Sequence, residues 1–300
     1  MINNSPIFLN AIPRSGGTLF VTMLDAHPQI SMSYEIYEDR LSSDMGTPFT
    51  ITNVLDLLNQ AKQGGINNDV QWIKKLPDYN LRTFLYRARR SGLTMEEIIQ
   101  DLNSLLKSGK NINTSIGRLE FIEYLMKHKA LKFQKSFWGG KTKTDLYKLY
   151  KRYPNASFFI MIRDGRDIFA SMKNNGSFNY SATQAANLWK ESILNFRSFV
   201  SQTKAKAMEI PYETLVHEPA KVLAKVCSLS GLNFDNNMLS FYQSNLTLFE
   251  NPHGHLSYQQ LKNQLNSESI GRWRKDISDQ EYNDYLRIAG DILKEMGYSK

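Results

Sequence analysis

The stretch Ile7-Phe8-Leu9-Asn10-Ala11-Ile12-Pro13-Arg14-Ser15-Gly16-Gly17-Thr18-Leu19-Phe20 constrains this chain more than any other. An apolar run of strand length enters a short loop with two glycines, and apolar-periodic residues from Leu19 to Leu24 then start a helix. A turn of this kind makes an anion site, because loop amides and the positive helix end converge on one place where a phosphate or sulfate meets both. The register departs from the Walker pattern G-x-x-x-x-G-K-[ST]. Aligned on Thr18, the lysine position is Gly17, the first glycine is Ala11, and the basic residue stands upstream at Arg14. A planar guanidinium fork thus replaces a lysine point charge. That disfavours a nucleoside triphosphate with magnesium, and leaves an ordinary kinase loop gone degenerate or a plain structural turn as rival readings.

A second pattern has the same form. Ser157 to Ile162 is an unbroken apolar run, followed by Arg163-Asp164-Gly165-Arg166-Asp167 and a helical stretch carrying Ile168, Phe169, Ala170, Ser171 and Met172. Runs without alternation suit a parallel strand covered on both faces, and open α/β sheets place ligands at the carboxyl ends of such strands. Arg163 leaves that end, and Ser171 lies two helical turns on, which places a cation and a hydroxyl to converge on one phosphate, the alternative being an exposed Arg-Asp turn with Ser171 solvated.

Pro-Arg-Ser-Gly-Gly-Thr resembles the 5′-phosphosulfate loop of sulfotransferases that use 3′-phosphoadenosine 5′-phosphosulfate (PAPS), and the strand, Arg-Asp-Gly-Arg and serine resemble that family's 3′-phosphate segment. Leu24 to Glu35, with Asp25-Ala26-His27-Pro28 and Tyr34-Glu35, looks like the matching part of protein-tyrosine sulfotransferases and many bacterial relatives. Trp138-Gly139-Gly140-Lys141-Thr142, Tyr212-Glu213 and Gly271-Arg272-Trp273 resemble three later family segments, in the family's order. The resemblance implies an enzyme moving a sulfuryl group from PAPS to a hydroxyl acceptor, with no metal. It implies Glu35 as the base, with Arg14 and Lys141 stabilising charge on the transferring group. Donor binding falls to Arg14, Ser15, Gly16, Gly17, Thr18, Leu19, Arg163, Ser171, Tyr212, Ser257 and Arg272. A base needs a suitably raised pKa, which predicts partial burial of Glu35. Cytosolic members use a histidine, but His27 sits in a turn that predicts a structural role. Two departures stand out: Gly17 replaces a common threonine, and Asn175 replaces a basic residue of the tyrosine-modifying members. The acceptor is expected to be a sugar hydroxyl of a glycan or glycolipid, then a small metabolite, then a peptide tyrosine. The competing classes are an ATP-dependent P-loop kinase and a nucleotide-binding module without catalysis.

Composition is compatible with this reading. Lys and Arg number 37 against 29 Asp and Glu in 300 residues, a net charge of +8 that suits an anionic partner. No zinc-finger spacing, RNP-type strand or basic arm is present, so nucleic acid is an unlikely partner. Cys227 is the single cysteine, so no intrachain disulfide or cysteine-based metal cluster can form. His128, His217, His253 and His255 show no metal-ligand spacing. Ile7 to Ile12 is only strand length and no segment approaches the ~20 apolar residues of a membrane span, which predicts a cytoplasmic protein unless an N-terminal anchor has been removed. The motifs fall in two blocks, and the chain between them reads as helical. Thr94 to Glu97 forms a capping box before Ile98, Ile99, Leu102, Leu105 and Leu106. Leu119 to Lys129 and Leu81 to Arg90 read as further helices. The expected architecture is α/β: one domain with a P-loop-like parallel sheet flanked by helices, and a helical insertion over about residues 42–135 forming the acceptor side. Arg87, Arg89 and Arg90 in that insertion suit either an acidic acceptor or a solvated face.

Overall fold

Five parallel strands, β1 (Ile7–Asn10), β2 (Ile30–Ser33), β3 (Phe137–Thr142), β4 (Ser157–Ile162) and β5 (Lys206–Pro211), form one sheet in the order β2-β3-β1-β4-β5 in the computed structural model of the chain. Residues 2–62, 69–174, 176, 178–250 and 257–298 are described by the structure. Asn175, His253 and His255 lie outside them.

Helix α1 (Gly17–Asp25) joins β1 to β2. Between β2 and β3, the described residues form α2 (Ile51–Lys62), α3 (Asp69–Lys75), α4 (Tyr79–Arg90), α5 (Met95–Lys107) and α6 (Ser115–Lys132). Then α7 (Leu146–Arg152) joins β3 to β4, α8 (Gly165–Asn174) and α9 (Ala182–Gln202) lead to β5, and α10 (Tyr212–His217) and α11 (Pro219–Leu229) follow it. A last long helix covers Asp279–Glu295.

The unbroken apolar strands follow from burial on both faces. Ile7 and Leu9 pack with α1 and α11, whereas Phe8 and Phe158 turn to the opposite face against α6, α9 and the C-terminal helix. Side chains of α2 to α6, including Leu55, Ile98 and Leu125, join that second cluster, so the helical insertion shares the sheet's core.

Caps account for where the helices begin. The box at Thr94 is formed, its hydroxyl accepting from the Glu97 amide at 3.1 Å while the Glu97 carboxylate accepts from the Thr94 amide at 2.7 Å. Helix α4 starts two residues before the predicted Leu81, because Asp78 accepts from the Leu81 amide. Helix α6 starts at Ser115 rather than Leu119 because Thr114 caps it. Among the described residues no helix is long and apolar enough to cross a membrane.

Candidate active site

All strands being parallel, their carboxyl ends share one edge, and each delivers one side chain to it. In spatial order these are Glu35 after β2, Lys141 in β3, Arg14 after β1, Arg163 after β4 and Tyr212 after β5. They line a single cleft of about 1020 Å³. Gly16, Gly17, Thr18, Leu19, Ser171, Ser257 and Arg272 line it too. Ser15 does not. Its side chain is fully buried and its hydroxyl donates to the Ile12 carbonyl at 2.9 Å, so it braces the loop from behind, contrary to the donor contact expected of it.

The loop is shaped by backbone conformation. Arg14 is held at φ 69° and Gly16 at φ 96°, and the first helical bond runs from the Phe20 amide to the Gly16 carbonyl at 3.1 Å. The amides of Gly17 and Leu19 precede that bond and belong to the turn whose N–H groups have no intrahelical acceptor. A Cβ on Gly16 would come within 2.4 Å of the Tyr212 ring, and one on Gly17 within 2.6 Å of the Ala11 Cβ. A threonine at position 17 therefore does not fit this loop. Its glycine lets the helix close directly onto β1.

Arg14 is fixed at both ends of its fork: Nε donates to the Ser171 hydroxyl at 3.0 Å and Nη1 to the Ser257 hydroxyl at 3.4 Å. Burial, with Arg163 and Arg272 beside it, lowers its pKa, yet a guanidinium stays charged. Lys141 is buried and donates to Glu35 Oε1 at 2.8 Å. Burial alone would lower the Lys141 pKa, but Glu35 and Tyr37 more than offset it and hold the ammonium above the ordinary lysine value. Arg87 Nη2 lies 3.9 Å from Glu35 Oε2. Glu35 is thus half-buried as predicted, but among cations rather than in an apolar pocket. Its backbone is left-handed at φ 61°, and with Arg14 it accounts for two of the three such non-glycine residues described. Strain of this kind clusters at functional sites.

Cations dominate the cleft. Arg14, Lys74, Arg82, Arg87, Arg90, Lys141, Arg163 and Arg272 face it, against Glu35, Glu268 and Asp276. This balance selects an anionic ligand.

Around Arg163 the site is supported by Trp189, Asp164, Arg166, Asp167 and Glu213, to which the sequence assigned no role. Arg163 donates from Nη1 to the Arg14 carbonyl at 3.2 Å and from Nη2 to the Ser269 carbonyl, and its guanidinium lies 4.7 Å from the Tyr212 ring centroid. Its own carbonyl accepts from Trp189 Nε1 at 2.9 Å. Asp167 accepts from the amides of Gly271 and Trp273 at 2.7 and 3.0 Å, and Arg166 stacks on Trp273 at 4.0 Å while pairing with Asp164. This pins the Gly271-Arg272-Trp273 segment to the turn after β4. Glu213 accepts from the Asp164 amide at 2.9 Å, and burial raises its pKa. Its adjacency to Tyr212 was the available signal.

His27 lies at the opposite end of α1, about 13 Å from the loop by helical rise. It is buried, with Nδ1 accepting from the Gln29 amide and Nε2 donating to the Asn233 carbonyl. Both ring nitrogens are engaged in holding that turn, the structural role the sequence predicts.

The parallel sheet with a glycine loop, a cationic cleft and an embedded carboxylate at its carboxyl edge defines an α/β enzyme that handles anionic groups. The chain belongs to the sulfotransferase family, whose sequence model matches residues 6–236. A putative protein-tyrosine sulfotransferase of Caenorhabditis briggsae is 23% identical over 300 residues, 97% of this chain and 88% of the relative. Protein-tyrosine sulfotransferase 2 of Gallus gallus is 21% identical over 305 residues, covering 97% and 69%. In fold, the sulfotransferase domain of the Synechococcus PCC 7002 olefin synthase matches with a TM-score of 0.61 at 20% identity, covering 98% of this chain and 96% of that one. The sulfotransferase domain of the curacin biosynthetic pathway matches with 0.58 at 17%, covering 97% and 98%. The protein is a sulfotransferase.

Proposed function

We propose that the donor is PAPS and that it lies along the carboxyl edge of the sheet, with its sulfuryl group between Arg14 and Lys141 and its 3′-phosphate at Arg163 and Ser171. The carrying observation is the order of side chains along that edge: base, lysine, loop arginine, second arginine, tyrosine. At the ~4.8 Å spacing of strands, this array is about 19 Å long. That suits an acceptor hydroxyl, a sulfuryl group and a nucleotide laid end to end. The fit is supported by Arg163, whose buried Nε has no hydrogen-bond partner among the described residues.

Glu35 takes the acceptor proton as the hydroxyl oxygen bonds to sulfur and the bond from sulfur to the phosphate oxygen breaks. Arg14 and Lys141 stabilise the charge that develops on the departing phosphate, aided by amides of the loop. Positioning and electrostatics supply the rate, as in phosphoryl transfer. The Glu35–Lys141 pair joins proton acceptor and charge stabiliser directly, so the two act as one unit.

For the acceptor, the reading is a sugar hydroxyl of a glycan or glycolipid, or else a small metabolite, approached from the β2 and α4 side of the cleft. A peptide tyrosine is the second reading, favoured by relatives called protein-tyrosine sulfotransferases that align along 97% of the chain. Calorimetric titration tests the donor. Binding of 3′-phosphoadenosine 5′-phosphate (PAP) without magnesium, tighter than 5′-AMP, is expected, whereas magnesium-dependent binding of ATP would replace this reading with a kinase. Transfer from PAPS to methyl β-galactoside against N-acetyltyrosinamide separates the two acceptor classes, and PAP binding without transfer to any member of a broad acceptor panel would favour a module without catalysis.

A further inference from the structure

Glu35 holds a strained backbone just after β2, a four-residue edge strand, and a left-handed non-glycine residue persists only where its surroundings over-determine it. Behind it lies a fully buried polar network. Asp25, the last residue of α1, accepts from Lys129 Nζ of α6 at 3.0 and 2.9 Å, from the Met32 amide of β2 at 2.8 Å and from the Tyr34 hydroxyl at 3.1 Å. Lys129 also donates to the Met32 carbonyl, and its ammonium lies 5.2 Å from the Tyr34 ring centroid. The Tyr34 amide donates at 2.8 Å to the hydroxyl of Ser91, the residue that ends α4 one position after Arg90. On the other side, the Ser33 hydroxyl donates to the Gly139 carbonyl at 3.0 Å, two residues before Lys141.

A buried ion pair is weak evidence for stability, because desolvation offsets its attraction. What this one does is geometric. It joins α1, α6 and β2 at Tyr34, whose amide ties in the end of α4, and the left-handed step at the next residue, Glu35, leads to Ile36, which is itself buried.

We propose that Tyr34 and the buried Asp25–Lys129 pair are positioning residues for Glu35: they set the distance of its carboxylate from Lys141 and Arg87, and so act on turnover through it. This rests on the reading of Glu35 as the base. None of the three lines the cleft.

Tyr34→Phe keeps the ring and removes the hydroxyl donated to Asp25. With PAPS saturating and methyl β-galactoside or N-acetyltyrosinamide as acceptor, kcat should fall about tenfold or more, because misplaced catalytic groups lose rate steeply. PAP affinity, measured without acceptor, should stay within about twofold, since the donor contacts lie on other strands. Placed in a Glu35→Gln background, Tyr34→Phe should change kcat no further, its target being gone. A crystal structure of the single variant, which needs no acceptor, should show Glu35 out of the left-handed region or its carboxylate beyond ion-pair distance of Lys141. Should Tyr34→Phe fail to fold, Ser91→Ala removes the acceptor of the Tyr34 amide and carries the same expectations. An unchanged kcat with Glu35 in place, or an equal loss in both backgrounds, overturns the proposal. A Glu35→Gln variant with wild-type turnover would instead sink the base itself, and a slow Glu35→Gln beside an unimpaired Tyr34→Phe sinks only the positioning role.

Discussion

The two halves of the cleft are built differently. On the β1, β4 and β5 side, most groups come from contiguous segments, each a strand, its following loop and the next helix, with Ser257 and Arg272 added from the C-terminal part of the chain. On the β2, β3 and α4 side, Glu35, Lys141 and Arg87 come from three places in the chain and meet only through the fold. The first half offers loop backbone and arginines placed by short-range turns, and the bonds of Arg14 to Ser171 and of Arg163 to the Arg14 carbonyl tie those turns together. The second depends on packing across the helical insertion, and its electrostatics are made of side chains that hold one another.

Five substitutions test that division, with His27→Asn as a control. Glu35→Gln, on the packed half, should lower turnover by roughly 10²–10⁴ and leave PAP binding intact. The acidic limb of the pH–rate profile should vanish with it where chemistry limits the rate. If His27→Asn loses activity and that limb while Glu35→Gln keeps both, the proton acceptor is His27 and the comparison collapses. Arg14→Ala and Lys141→Ala should each cost turnover about 10²–10³, more than they weaken PAP binding, because both act on developing charge. A variant with normal saturated turnover would confine that residue to binding. Arg163→Ala should cost on the order of 1.5–3 kcal/mol in PAP affinity, the loss of a charge-assisted hydrogen bond. Affinity for 5′-AMP, which lacks the 3′-phosphate, should barely change, and equal weakening of both would move Arg163 off the 3′ position. Arg87→Ala should have the smallest effect, raising the acceptor KM a few-fold with PAP affinity unaltered, as expected of a cation that lies near the base at 3.9 Å without a close contact. A large loss of PAP affinity there would join the halves that the fold separates.

The same contrast explains what could be read from the chain before its fold was known. Strands β1 and β4 announce themselves because burial on both faces demands unbroken apolar runs. Strand β3, Phe-Trp-Gly-Gly-Lys-Thr, and the four-residue β2 carry no such pattern, so their motifs were recognised while their secondary structure was not. Helix α9 escaped although its capping box, Ser181 with Gln184, is a readable signal. Ser15 was misplaced because a motif gives the order of residues and not the direction of a side chain in a strained turn. The Asp25–Lys129 pair spans 104 positions and leaves no local trace. Glu35 was named from resemblance, but its cationic surroundings depend on α4 and β3, which no stretch near residue 35 encodes.

The strand order has a consequence for how such an enzyme diversifies. On the proposed reading, β1, the central strand, separates the donor-side strands β4 and β5 from β3 and β2, so changes of acceptor have their own end of the sheet on which to accumulate. Lengthening or repacking the helices inserted between β2 and β3 reshapes what approaches the base without touching the turn after β4. A lineage built on this frame can exchange one acceptor for another by drift in its insertion, while the grip on the donor is inherited unchanged.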